Sequence, residues 1–330
     1  MIESLLSYGW WVAALFIIIG FVALVKGADW LVDGASSIAK HFGISDLVIG
    51  LTVVAFGTSM PEFVVNMVSV ATGSTDLAIT NILGSNIINT FVILGCTALV
   101  YPITSQKRSR DFDIPLSIIA GVLVFLAVWA SGYFHESVRG INRIGGIVLL
   151  VLFVYFLYNT FRHAKDHPDE AEADEVKEIP VRRAIALILG GFVGLVVGGE
   201  LIVKSAVDIA TRMGVSEAII GLTIVALGTS LPELATSVIA ATKHNSDIAL
   251  GNVIGSNIFN VFFVLGTSAT VHALPAYDGI ELDATIVALG SLLVWLFVKS
   301  NHERQIKRWE GALLLLVYAG YLGYRLMNLG

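Results

Sequence analysis

Gly57-Thr58-Ser59-Met60-Pro61-Glu62 and Gly228-Thr229-Ser230-Leu231-Pro232-Glu233 are the same stretch written twice, 171 residues apart. Working outward, Gly43 to Gly95 falls on Gly214 to Gly266 without a gap, with 24 identities over 53 positions. That window holds a second duplicated motif, Asn81-Ile82-Leu83-Gly84-Ser85-Asn86-Ile87-Ile88-Asn89 over Asn252-Val253-Ile254-Gly255-Ser256-Asn257-Ile258-Phe259-Asn260. The match reaches weakly upstream, where Gly27-Ala28-Asp29 lies over Gly198-Gly199-Glu200. A self-similar chain of this kind is read first as a repeat architecture.

The repeats sit in unusually apolar surroundings. Of the 330 residues, 56% are hydrophobic and 14% charged, against about a quarter charged in soluble domains. Residues 77–106 and 248–277 contain no Asp, Glu, Lys or Arg. A bilayer core needs about 20 apolar residues, so these runs read as transmembrane helices. Ten spans are expected, near 8–37, 45–71, 77–101, 112–131, 140–161, 182–212, 216–242, 247–273, 282–299 and 309–327. The fold class is thus an all-α polytopic membrane protein. Five spans per half is an odd number, so the halves enter the membrane in opposite directions: two inverted five-helix repeats, 1–162 and 181–330, joined by an acidic linker at 163–180. Secondary transporters of this design place their sites near the midplane, where the halves meet.

Charge sets the expected orientation. Loops on one side carry 14 Lys and Arg, including Lys107, Arg108, Arg110, Lys243, Arg304 and Lys307; the other side has Arg139, Arg143, Arg212 and Arg325. The basic side is expected to be cytoplasmic. Both termini then face outward across the cell (inner) membrane and the 163–180 linker faces inward. Trp10 to Val25, without a basic leader before it, reads as a retained helix. The net charge of −6 gives no footprint for nucleic acid, and the single Cys96 excludes an internal disulfide. No protein partner and no cofactor are expected.

The duplicated motifs define the chemistry. A proline inside a helix lacks an N–H and clashes with the carbonyl four residues back, which is Gly57 for Pro61 and Gly228 for Pro232. Both spans should break, freeing carbonyls such as those of Ala55 and Ala226. Irregular backbone at that depth must be buried or line a cavity. Thr58 and Ser59 precede Glu62 by four and three residues, on the same side of a regular helix. Asn81, Ser85 and Asn89 step by four along one face, as do Asn252, Ser256 and Asn260. All these groups offer oxygen, with no His or Cys among them, which suits hard cations such as Ca²⁺. Intramembrane Glu62 and Glu233 supply the charge. The glycines also serve helix packing. Asn86 and Asn257 read equally as ligands or as interhelical glue, and Asp29, Asp33, Glu200, Lys26 and Lys204 as snorkelling or paired residues near helix ends.

These paired motifs resemble the two α-repeats of the cation/Ca²⁺ exchanger superfamily, in its prokaryotic sodium/calcium exchanger branch, over essentially the whole chain. The resemblance implies a ten-helix exchanger fold with Ca²⁺ and Na⁺ bound as transported substrates in a central diamond of sites. The ligands it implies are Glu62, Glu233, the hydroxyls of Thr58, Ser59, Thr229, Ser230, Ser85 and Ser256, and the carbonyls of Ala55 and Ala226. Asn89 and Asn260 occupy the last motif positions; some archaeal exchangers have Asp at the second, so this centre has one possible carboxylate fewer. The expected function is Na⁺/Ca²⁺ antiport by alternating access, in the direction of Ca²⁺ extrusion. H⁺- or K⁺-coupled exchange is the alternative, a cation channel is a more distant one, and an acid–base enzyme lacks supporting residues.

Overall fold

The computed structural model describes residues 9–133, 139–166, 179–215 and 226–327. In chain order the helices are α1 (Trp10–Phe42), α2 (Asp46–Thr58), α3 (Met60–Ala71), α4 (Thr75–Val100), α5 (Ile114–Tyr133) and α6 (Arg143–Asp166). They continue with α7 (Val181–Arg212), α8 (Ala226–Thr229), α9 (Leu231–Thr242), α10 (Ser246–Val271), α11 (Ile280–Ser300) and α12 (Arg308–Met327). Four two-residue strands lie between them: β1 (Ile103–Thr104), β2 (Gly140–Ile141), β3 (Leu274–Pro275) and β4 (Gln305–Ile306).

Among the described residues, seven helices are long and apolar enough to cross a membrane, or eight if the bent pair α2–α3 counts as one span. That is short of the ten expected, for two reasons. Residues 216–225 of the seventh expected span lie outside the described residues, leaving the 12-residue α9. Helix α12 is 20 residues long but carries Arg308, Glu310 and Arg325, and it falls outside the set. Most of the acidic linker, 167–178, is also outside the described residues.

The sequence repeat recurs in the elements. Helix α8 begins 171 residues after Ala55, α9 begins 171 after Met60, and α10 begins 171 after Thr75. Both α4 and α10 convert to π-helical turns directly after the Gly-Ser-Asn motif, at Ile88–Ile93 and Phe259–Leu265. These two helices form the centre: 78% and 94% of their apolar windows are buried, against 22% for α6, which leaves α6 on the periphery.

Glycine shapes the contact between α1 and α7. A Cβ at Gly20 would lie 2.8 Å from the Gly198 carbonyl, one at Gly27 2.8 Å from the Gly191 carbonyl, and one at Gly34 2.8 Å from the Ala184 carbonyl. The helices therefore run antiparallel in heptad register, backbone against backbone, as small residues allow. Packing also explains Gly50, which faces the α10 backbone at Asp247 and Gly251, and Gly95, which faces Gly311 and Leu315. It does not explain Gly84, where a Cβ would meet nothing within 4 Å, whereas its mate Gly255 is pressed on Leu51 and Ala55.

Asp29, Asp33, Glu200 and Lys204 are paired, whereas no ion pair reaches Lys26 among the described residues. Lys204 meets Glu200 at 2.7 Å, and Lys243 meets both Asp29 and Asp33 at 2.6 Å. Cys96 is a half-buried free thiol.

Candidate functional site

The first break is at Ser59, whose backbone (φ −86°, ψ 8°) leaves the helix between α2 and α3; the axis bends by 44° there. Ser230 does the same between α8 and α9 (φ −90°, ψ 6°). Pro61 and Pro232 fall in the first turn of the following helix, where the missing N–H costs nothing. Glu62 and Glu233 come in that same first turn, and both are fully buried. A carboxylate is favoured at a helix N-terminus, so the break that the proline imposes also steadies the acid beside it.

The break changes which glutamate the hydroxyls serve. On a regular helix Thr58 and Ser59 would share a face with Glu62. Because Ser59 is the hinge, they instead turn to the other half. Ser59 Oγ donates to Glu233 Oε1 at 2.8 Å, and Thr58 Oγ1 donates to Asn252 Oδ1 at 3.0 Å. Reciprocally, the Thr229 hydroxyl reaches Glu62, which accepts a further bond from Ser85 Oγ at 3.4 Å.

Ala55 departs from expectation. Its carbonyl is not freed: it accepts the Ser59 N–H at 3.1 Å, and the Thr58 hydroxyl, whose single proton goes to Asn252 at 3.0 Å, stands 3.4 Å from it. The helix keeps its bonding up to the hinge, so only a second lone pair of that oxygen is left for a ligand. Its counterpart Ala226 opens the four-residue α8.

The asparagines divide into two groups. Asn86 donates to the Asn257 carbonyl at 3.1 Å, and Asn257 donates to Thr90 at 2.9 Å, so both are glue between the halves. Asn89 and Asn260 lie on the π turns, which interrupt the step of four that would have aligned them with Ser85 and Ser256. Asn260 gives its amide to Asn86 Oδ1 at 3.1 Å, while neither polar end of Asn89 has a protein partner. The spacing missed a supporting layer: Asn66 accepts from Asn81 at 2.9 Å, and Ser237, its equivalent, accepts from Asn252 at 2.9 Å. The repeat itself signals this layer, since a polar residue recurs at 66 and 237 in otherwise apolar runs.

Of the buried oxygens without a protein hydrogen-bond partner among the described residues, seven lie in the duplicated motifs: Glu62 Oε2, Glu233 Oε2, Ser230 Oγ, Ser256 Oγ, Asn89 Oδ1, Asn257 Oδ1 and Asn260 Oδ1. Each such group costs about 1–3 kcal/mol when left unsatisfied. Others lie outside the motifs, at Ser109, Asp113 and Ser205 among other positions. Together the seven motif oxygens match in number and hardness the oxygen shell of about six to eight that Ca²⁺ takes. Two cavities reach residues of the motifs. One of about 490 Å³ passes between α7 and α3 to Thr229, and one of about 340 Å³ passes between α4 and α12 to Ser85.

This arrangement has close relatives. The family model for the sodium/calcium exchanger protein matches residues 12–162 and 183–327. A putative antiporter, CaxA of Alkalimonas amylolytica, is 39% identical over 94% of this chain and 97% of its own length. The sodium/calcium exchanger MaX1 of Methanosarcina acetivorans is 31% identical over 93% of this chain and 97% of its own. A solved structure of the sodium-calcium exchanger NCX_Mj, soaked with 10 mM Na⁺ and zero Ca²⁺, superimposes with a TM-score of 0.81 at 33% identity, covering 98% of this chain and 100% of that one. The protein is accordingly a multi-pass membrane antiporter and not an enzyme, and it belongs to the sodium/calcium exchanger family.

Proposed function

We propose that this chain exchanges Na⁺ for Ca²⁺ by alternating access and extrudes Ca²⁺, with Glu62 and Glu233 as the shared ligands and charge balance. The observation that carries this reading is the crossed bonding at the two breaks, Ser59 to Glu233 and Thr229 to Glu62. It ties one carboxylate from each half to a single buried, all-oxygen centre. Two carboxylates supply about −2 of charge, which one Ca²⁺ balances. Thr58, Ser85, Ser230, Ser256, Asn89 and Asn260, with the carbonyls of Ala55 and Ala226, complete the proposed shell. Ca²⁺ and Na⁺ are substrates in this reading, and no cofactor takes part.

The reading includes ten spans in two inverted halves, 1–162 and 181–330, with the 163–180 linker between them. The strand pairing supports inversion. β1, after the third span, pairs with β4, between the ninth and tenth; β2, between the fourth and fifth, pairs with β3, after the eighth. With five spans per half, those loops share a membrane face only if the halves run oppositely. The antiparallel α1–α7 contact agrees. The β1–β4 ribbon lies in the Lys- and Arg-rich loops, which supports a cytoplasmic linker and extracytoplasmic termini in the proposed cell (inner) membrane.

Proteoliposomes loaded with Na⁺ test the coupling. ⁴⁵Ca²⁺ uptake should follow the outward Na⁺ gradient and stop when Na⁺ is equal on both sides. H⁺-coupled exchange is the second reading, because paired buried carboxylates also bind protons; uptake that follows a pH gradient and ignores Na⁺ would establish it. K⁺ dependence is read in the same vesicles.

A further inference from the structure

The repeat makes the contact of α1 with α9 equivalent to that of α7 with α3, yet the two seams differ. The α1–α9 seam is bridged. Lys243 Nζ, just past the end of α9, lies 2.6 Å from Asp29 Oδ1, 2.6 Å from Asp33 Oδ1 and 3.2 Å from the Asp29 carbonyl. Two residues on, Asn245 gives its amide to Ser36 Oγ at 3.1 Å and to the Asp46 carboxylate. Deeper in, Ala28, Leu31, Val32 and Ala35 of α1 share one apolar cluster with Ile239 and Ala240 of α9.

The α7–α3 seam is parted by the cavity of about 490 Å³, with Val196, Glu200 and Val203 on one wall and Met60, Pro61 and Val64 on the other. The counterparts of Asp29 and Asp33 are Glu200 and Lys204, which pair with each other along α7. The counterpart of Lys243 is Thr72, whose hydroxyl bonds to Val68 and Ser69 carbonyls of its own helix. A clamp thus exists on one seam, and its equivalent on the other seam is replaced by contacts within each helix.

We propose that Lys243 is a positioning residue of the exchange cycle: by holding Asp29 and Asp33 it keeps the α1–α9 seam shut while cations reach Glu62 and Glu233 past α7 and α3, and its release opens the opposite route. The inference rests on the antiport reading. The three groups are partly exposed, and exposed pairs are weak, as suits a contact broken at every turnover.

The test needs no flux. Thr236 is fully buried on α9, and it lies on one stripe with Ile239, Ala240 and Lys243. A Thr236→Cys variant on a Cys96→Ala background is exposed to an impermeant methanethiosulfonate from the Lys243 side of oriented vesicles. Labelling should be slow. It should quicken roughly five-fold or more with Lys243→Met or with Asp29→Asn plus Asp33→Asn, and return to the slow rate with Lys243→Arg. An unchanged rate in monodisperse Lys243→Met protein overturns the proposal. If that variant does not fold, an unchanged rate in the aspartate double variant overturns it equally. Flux without Na⁺ dependence but with the labelling response intact would reject the coupling ion and keep the clamp.

Discussion

Ser59 and Glu233 belong to different halves of the chain, and the serine hydroxyl donates to the glutamate at 2.8 Å. The helix break therefore does two jobs: it places Glu62 at a helix start, and it hands the neighbouring hydroxyl to the opposite carboxylate. A hydrogen bond to a charged group contributes about 1.5–3 kcal/mol. Ser59→Ala should accordingly raise the half-saturating Ca²⁺ concentration by about ten-fold or more in flux assays. Ser230→Ala removes a hydroxyl with no protein partner, so it should leave thermal stability near the parent value and act on ion affinity alone.

Protons and cations compete for Glu62 and Glu233. Only the ionised carboxylate binds a cation, so the apparent KM for Ca²⁺ should rise as pH falls, and the maximal rate at saturating Ca²⁺ should fall less. Initial rates measured across pH with equal pH on both sides of the vesicle check this. A KM that stays flat down to acid pH would argue against a carboxylate centre.

The α1–α7 contact predicts a steric effect. Gly27→Val would drive a side chain into the Gly191 carbonyl and the Leu195 amide, both 2.8 Å from the position of a Cβ. Overpacking of this kind costs about 1–3 kcal/mol, so the melting temperature in detergent should drop. Gly84→Ala meets nothing within 4 Å and should melt as the parent does.

Asn86 joins the halves through the Asn257 carbonyl and accepts from Asn260. Asn86→Leu strips both bonds inside a buried centre. A loss of about 1–3 kcal/mol is expected, read as a lower melting temperature. Added Ca²⁺ should still stabilise this variant, because Glu62 and Glu233 remain.

Much of this was legible in the sequence because duplication tests itself: Pro61 with Pro232 and Glu62 with Glu233 recur in one frame, and both breaks and both buried acids are present. What spacing could not give is what a break does to direction. A regular helix assigns Ser59 to Glu62, and the hinge assigns it to Glu233. The π turns at Ile88 and Phe259 likewise move Asn89 and Asn260 out of the step of four, with no residue type to announce it. Sequence symmetry also hides structural asymmetry. Ser85 bonds to Glu62 while Ser256 has no protein partner, because one set of side chains occupies a single shared centre.

The most direct measurement is Na⁺-gradient-driven ⁴⁵Ca²⁺ uptake in proteoliposomes carrying Glu62→Gln or Glu233→Gln. Each change keeps the size of the side chain and removes one of two buried carboxyl groups, a loss of about 3 kcal/mol in charge-assisted contacts to a bound cation. Uptake should fall by about 100-fold or more in either variant, with the protein still folded. Parent-level uptake in either one would contradict a shared two-glutamate cation site.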